Sequence, residues 1–206
     1  MLVDAKCRLC RSSAEKLYLK GARCFSPKCS MEKKATPPGM HGIKGSKKTT
    51  DFGLQLRAKQ KAKRIYGVLE TQFKNYYLKA KTMKGQVGEN LLSLLERRLD
   101  NTVYSLGLGL SRSHARQIVL HRQVRINDKI INIASYQIKI GDVITLTDKA
   151  KANESVLTRF LDKDYKSPLW IEVDKTKISG KISAFPTRED ITSEINENLI
   201  IEYYSR

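Results

Sequence analysis

Cys7, Cys10, Cys24 and Cys29 are the only cysteines of the 206-residue chain, spaced as C-x2-C, thirteen intervening residues and C-x4-C. Thiolates paired so closely can grip one tetrahedral ion from two sides, and four of them make a closed structural site with no open position for catalysis. A disulfide framework would instead distribute its pairs through the body it staples, yet 177 residues follow Cys29 without another cysteine. The expected occupant is Zn2+, with an iron–sulfur cluster as the alternative for the same soft donors. The first stretch of chain has little core of its own. Ligation, worth on the order of 10 kcal/mol, is therefore expected to fold a small knob over residues 1–45.

Charge supplies the second signal. The net charge is +18, from 39 Lys and Arg against 21 Asp and Glu, and the sequence pI is near 9.8. Residues 1–50 carry 12 basic and 3 acidic groups, 51–90 carry 9 and 3, 91–150 carry 9 and 5, and 151–206 carry 9 and 10. A polyanionic partner, nucleic acid before membrane, should therefore face the first 150 residues, while the last quarter packs, connects or meets protein. No apolar leader core follows Met1, and no stretch approaches the roughly 20 apolar residues of a membrane span. The chain is read as soluble and cytosolic, where thiols stay reduced.

The elements that must position these charges can be read from periodicity. "TPPGMHGIKGSKKTTDFG", 36–53, reads as an extended linker, with His41 a turn or RNA-facing residue rather than a further metal ligand. From Leu54 to Met83 the positions Ile65, Leu69, Phe73, Tyr76, Tyr77 and Ala80 repeat at helical spacing, with a break expected at Gly67. Arg57, Lys59, Lys61, Lys63 and Arg64 crowd one stretch with no acid among them, which points to a phosphate-contacting helix. A second helix is expected over 88–107, burying Leu91, Leu95, Leu99 and Val103 and projecting Arg97 and Arg98 from another face. Ser111 is a good N-cap for "SRSHARQIVLHR", whose Arg112 and Arg116 align one turn apart as a phosphate grip. Val124 and Ile126 then alternate with Arg125 before an Asn127-Asp128 turn and a return strand, and 138–146 supplies a further strand with a Gly141-Asp142 corner. More strands are expected around a half-buried Trp170, then a short acidic helix capped by Thr187 and an apolar end, "LIIEYY", that needs a partner surface. Helices on a small, mainly antiparallel sheet make the fold class α+β.

"RLDNTVYSLGLGLSRSHARQIVLHRQVRINDKIINIASYQIKIGDVITL", 98–146, resembles the RNA-binding module shared by a small-subunit ribosomal protein, some pseudouridine synthases and a tyrosyl-tRNA synthetase. "PPGMHG", "FGLQLRAKQKAKRIYGVLETQFKNYY", "GENLL" and "DITSEINENLIIEYYSR" are similar, in order, to the ribosomal member alone, so the likeness covers essentially the whole chain. The chain is identified as resembling the bacterial-type family of small-subunit ribosomal protein number four, in its metal-bearing four-cysteine branch. The resemblance implies a helical domain at 46–95, completed by 186–206, and an inserted module at 96–185. It also implies binding to a multi-helix junction in the five-prime domain of small-subunit rRNA, nucleation of assembly of the subunit body, and an influence on translational accuracy. Implied neighbours are other small-subunit proteins, especially the fifth, and mRNA near its entry path. Met40 departs from the family pattern, where Gln is expected.

The residues expected to meet RNA are Arg57, Lys59, Lys61, Arg64 and Lys74 in the helical domain, and Arg97, Arg98, Ser111, Arg112, Arg116, Arg125 and Lys129 in the module. Two other function classes compete. "RRLD", 97–100, resembles the "GRLD" of pseudouridine synthases, with Asp100 as their catalytic acid, but it falls inside a periodic Leu helix and no second domain offers a base-flipping pocket. A zinc-dependent DNA regulator would need a recognition helix carrying base-reading side chains, which is not legible.

Overall fold

A computed structural model describes residues 5–40, 42, 49–162, 164–191 and 193–206; His41 lies outside the described residues. In chain order the helices are α1 (Lys6–Ser13), α2 (Ser30–Lys33), α3 (Asp51–Tyr66), α4 (Glu70–Thr82), α5 (Val87–Glu96), α6 (Leu99–Ser105), α7 (Arg112–Leu120), α8 (Asp148–Lys151), α9 (Glu154–Leu157) and α10 (Glu197–Tyr204), with a 3-10 turn at Gly21–Phe25. The strands are β1 (Val124–Ile126), β2 (Lys129–Ile130), β3 (Val143–Leu146), β4 (Ile171–Asp174) and β5 (Ser179–Ile182). The chain divides into two compact units, one of Met1–Asn90 with Ser193–Arg206, the other of Leu91–Thr192.

In the first unit, Thr50 caps α3 by accepting the Gly53 N–H through its hydroxyl (3.2 Å), three residues ahead of the expected start. Gly67, at φ 63, ends the helix in the left-handed conformation that lets its own and the next amide return to the carbonyls of Arg64 and Lys63. The expected break is therefore present. Ala62, Ile65 and Tyr66 of α3, Phe73, Tyr77 and Ala80 of α4, and Ile200 of α10 are buried. The apolar end of the chain thus finds its partner surface on α3 and α4, with the Tyr204 ring 4.7 Å from that of Tyr77 and 6.3 Å from that of Phe73.

In the second unit the single helix expected over 88–107 is two, α5 and α6. The break falls at Arg97-Arg98, where the backbone pairs with a returning loop. Ile138 donates its N–H to the Arg97 carbonyl (3.0 Å), while Leu99 and Asp100 donate theirs to Tyr136 (2.9 Å) and Ala134 (3.2 Å). Amides that open a helix have no partner within it, so this loop satisfies them.

β1 and β2 form a hairpin whose corner, Asn127 (φ 47) and Asp128 (φ 65), takes the double positive-φ geometry that matches strand twist. All pairings in the five-stranded sheet are antiparallel, in the order β2-β1-β3-β5-β4. Val124 and Ile126 of β1 and Ile144 and Leu146 of β3 turn one face to a core shared with Leu99, Val103 and Leu106 of α6 and Ala115, Ile118 and Val119 of α7. Gly180 of β5 packs closely there: a Cβ would stand 2.1 Å from Leu106 Cδ2 and would force that buried side chain to shift.

Three expectations change. The corner expected at Gly141-Asp142 is present, with Gly141 at φ 90 and the Asp142 carboxylate taking the Lys139 N–H (2.8 Å), but the strand read over 138–146 is confined to β3 beyond that corner. Trp170 is buried in the core rather than half exposed. The acidic helix expected after Thr187 does not form; the Thr187 hydroxyl and amide both donate to Asp190 (2.8 and 2.9 Å) and close a turn.

Candidate nucleic-acid interface

The α6–α7 corner holds the densest arrangement of expected binding residues. Arg98 is 1 % exposed and lies against Asp100 in a two-point pair, Nε to Oδ1 at 3.0 Å and Nη2 to Oδ2 at 2.7 Å. This corrects the expectation that Arg97 and Arg98 project together from a helix face. Residues two apart on a helix do not face each other; the pair forms because the helix has broken and Arg98 occupies the cap position of α6. Arg97 donates to the Ile138 carbonyl (3.2 Å from Nη2) and stacks on the Phe185 ring (3.8 Å) while remaining partly exposed.

Asp100 also takes Arg116 (Nη1 to Oδ2, 3.3 Å), and Asn101 takes Arg112 (Nε to Oδ1, 2.8 Å). The Arg112 guanidinium lies 4.7 Å from the Tyr104 ring centre. Asp100 and Asn101, the second and third residues of α6, thus hold the two arginines of α7 in fixed positions while both remain partly exposed. The Ser111 hydroxyl accepts the His114 N–H (3.3 Å), which confirms the cap; being buried and so engaged, it is corrected from an RNA contact to a helix cap. Burial lowers the His114 pKa, and Nδ1 accepts the Leu110 N–H (3.2 Å), leaving the positive charge of this corner to the arginines. Arg125, partly exposed on β1, and Lys129, exposed on β2, extend the set along the hairpin.

The cations of α3 are less available than their spacing implied. Acids distant in sequence reach them. Glu70 of α4 takes Lys59 (2.7 Å) and Lys63 (3.0 Å), Glu15 takes Lys61, and Arg64 donates to the hydroxyls of Ser12 (2.9 Å) and Ser13 (2.6 Å) at the end of α1. Lys59 is 4 % exposed and sits 4.2 Å from the Tyr203 ring, so its assignment to RNA is corrected to a structural one. Burial pulls the Glu70 carboxyl upward, but hydrogen bonds from Lys59, Lys63 and Tyr204 outweigh it and hold the pKa at about 2. Arg57 on α3 and Lys74 on α4 are exposed.

Known sequences decide the family. Residues 2–96 match the model of the ribosomal protein S4/S9 N-terminal domain, and 97–144 match the S4 domain. A small ribosomal subunit protein uS4 from Caldicellulosiruptor bescii is 51% identical over 99% of this chain and 98% of its own. The chain belongs to the uS4 family. Proteins of the same name from Halothermothrix orenii (50% identical; 97% of this chain, 96% of its own) and Magnetococcus marinus (48%; 99% and 98%) are similar along nearly their whole length. The uS4 family is one of ribosomal structural proteins, so the chain is not an enzyme, and Asp100 is the buried partner of two arginines. Its S4 domain comprises α6, α7 and β1 with β2, and ends in β3.

The four cysteines of this uS4 chain are free thiols; Cys10, Cys24 and Cys29 are buried and Cys7 partly so. The Lys20 N–H points at the Cys24 sulfur (3.3 Å). Burial raises the Cys10 pKa, and the other three cysteines raise it further, so the four share one electrostatic neighbourhood. Donor type and burial suit a soft cation. Among the described residues, however, no three His, Cys, Asp or Glu side chains gather as a ligand set.

Two features escaped the sequence reading. Arg159 lies between the rings of Tyr104 (4.3 Å) and Tyr165 (4.2 Å) and donates to the Tyr104 carbonyl (3.3 Å), beyond the S4 domain. Tyr18 and Phe25 stack on each other at the surface of the first unit. Aromatic residues in a basic stretch were the available signal for the second; nothing local marks the first.

Proposed function

We propose that the protein is a structural constituent of the small ribosomal subunit that binds the subunit's rRNA. The observation that carries this is the capped helix α7, with Arg112 and Arg116 held by Asn101 and Asp100, in a chain alike to uS4 proteins from end to end. Positioned guanidiniums neutralise crowded phosphates and release counterions, while the shape and 2′-hydroxyls of A-form RNA discriminate it from other polyanions. Arg125 and Lys129 on the hairpin add to the second unit's cations; the first unit offers Arg57, Lys61, Arg64 and Lys74 of its own, Lys61 and Arg64 from side chains already tied to α1 and its flank.

The site on the RNA is a multi-helix junction in the five-prime domain, and binding there nucleates assembly of the subunit body. The protein neighbours are other small-subunit proteins, the fifth above all, with the mRNA entry path close by and an effect on accuracy. The place of action is the cytoplasm. Among the described residues no helix is long and apolar enough to cross a membrane. Cys7, Cys10, Cys24 and Cys29 hold one structural Zn2+, which supplies cross-linking and no reactive position; an iron–sulfur cluster is the alternative.

Arg112→Ala with Arg116→Ala tests the reading. The double variant should bind a five-prime-domain rRNA fragment more weakly, and the slope of log affinity against log salt should fall by about one to two counterions. An unchanged slope would remove both arginines from the interface.

A further inference from the structure

We infer that Tyr18 and Phe25 form a platform on which an unpaired RNA base stacks, separate from the α6–α7 corner. The inference rests on the rRNA-binding reading and adds a site to it. The two rings lie 5.0 Å apart at 25°, a stacked pair, and remain 44 % and 77 % exposed. So much exposed ring surface contributes little to folding. Neighbouring residues go the other way: Leu17, Gly21 and Cys24 are buried.

The backbone is bent to achieve this division. Tyr18 stands at φ 51, in the left-handed region that a bulky side chain rarely enters, and the 3-10 turn that follows carries Cys24 inward and Phe25 outward. Strain of this kind persists where something over-determines it, and it gathers at binding sites.

Charge selects the occupant. Lys20, Arg23 and Lys28 surround the pair in sequence and are exposed, and no acid occurs between Lys16 and Cys29. The nearest acids on either side, Glu15 and Glu32, are engaged by Lys61 and Lys16. Two aromatic faces amid uncompensated cations are the arrangement that holds single-stranded nucleic acid, the rings taking a base and the cations its phosphates. A base inside a duplex presents no free face, so the ligand is a base in a loop, bulge or flanking single strand.

The test uses the full, reduced, metal-replete chain and the five-prime-domain rRNA fragment. Phe25→Leu and Tyr18→Leu keep apolar bulk but remove a ring each, and each should weaken binding roughly 5- to 150-fold, as loss of one base stack does. The salt slope should stay at its wild-type value, because stacking releases no counterions. Phe25→Trp should restore affinity, and its emission should be quenched by RNA beyond any change from buried Trp170 in the wild type. Affinities of both Leu variants within about twofold of wild type would overturn the platform while leaving the rRNA reading intact; the rings would then face protein or solvent. A wild-type chain that prefers tRNA to the fragment would sink the rRNA reading and the platform with it.

Discussion

Asp100→Ala is expected to destabilise the Leu91–Thr192 unit by about 3–5 kcal/mol, the usual cost of removing one partner from a buried ion pair. Arg98 is 1 % exposed, so loss of the carboxylate removes a two-point charge-assisted pair from a buried guanidinium. Arg116 loses the same anchor (3.3 Å), and the start of α6 is coupled through its amides to the loop at 134–136. The measurement is urea unfolding followed by fluorescence. The chain has one tryptophan, Trp170, which lies in the core of this unit and reports it selectively. Asp100→Asn should fall between wild type and Ala, since it keeps a hydrogen-bond acceptor and loses the charge. Lys74→Ala, on the exposed face of α4, should change stability by no more than about 0.5 kcal/mol. A loss under about 1 kcal/mol for Asp100→Ala would mean that the pair is not the desolvated one described.

Metal removal should have the larger but more local effect. Structural Zn2+ contributes on the order of 10 kcal/mol to small modules, more than residues 6–33 can replace with the buried surface of Leu9, Leu17 and their neighbours. Chelation, or Cys24→Ser, is expected to release about one metal ion per chain and to collapse amide protection across α1, the 3-10 turn and α2. Protection around Phe73, Tyr77 and Tyr204 should persist, because those rings pack α4 against α10 and not against the cysteine-bearing stretch. Trp170 emission should not move. Metal analysis with hydrogen exchange reads both parts. A reduced wild-type chain that carries no metal would contradict the four-cysteine site, and global unfolding on chelation would contradict its local role.

What the sequence made legible was whatever depends on near neighbours. The helical stripe through Ile65, Phe73 and Ala80, the stop at Gly67, the Ser111 cap and the Asn127-Asp128 corner are all set within a few residues, and each is present. What depends on distant partners was not. Lys59 looked like a free cation because Glu70 is eleven positions away and Tyr203 lies at the far end of the chain. The break at Arg97-Arg98 was hidden because Leu91, Leu95, Leu99 and Val103 keep helical spacing across it; the cause is the loop at 134–138, which takes over the backbone pairing. The RRLD segment held a clue, since an acid two residues after an arginine can meet it only where the helix is interrupted. Trp170 was misplaced for a similar reason: its surroundings come from elements far along the chain.

For the proposed binding surface, composition pointed to a polyanionic partner and helical spacing placed Arg112 and Arg116 one turn apart, but neither showed which charges the fold consumes. Arg98 and Lys59 are consumed, Ser111 caps, and Arg112 and Arg116 are held ready by two polar residues of α6.

The most direct test is binding of the purified chain to a small-subunit rRNA five-prime-domain fragment, titrated with salt and competed with bulk tRNA. Tight binding that resists the competitor, with a steep salt slope, is the predicted result. Equal loss to tRNA would show that net charge alone binds, and would contradict specific recognition of the subunit's rRNA.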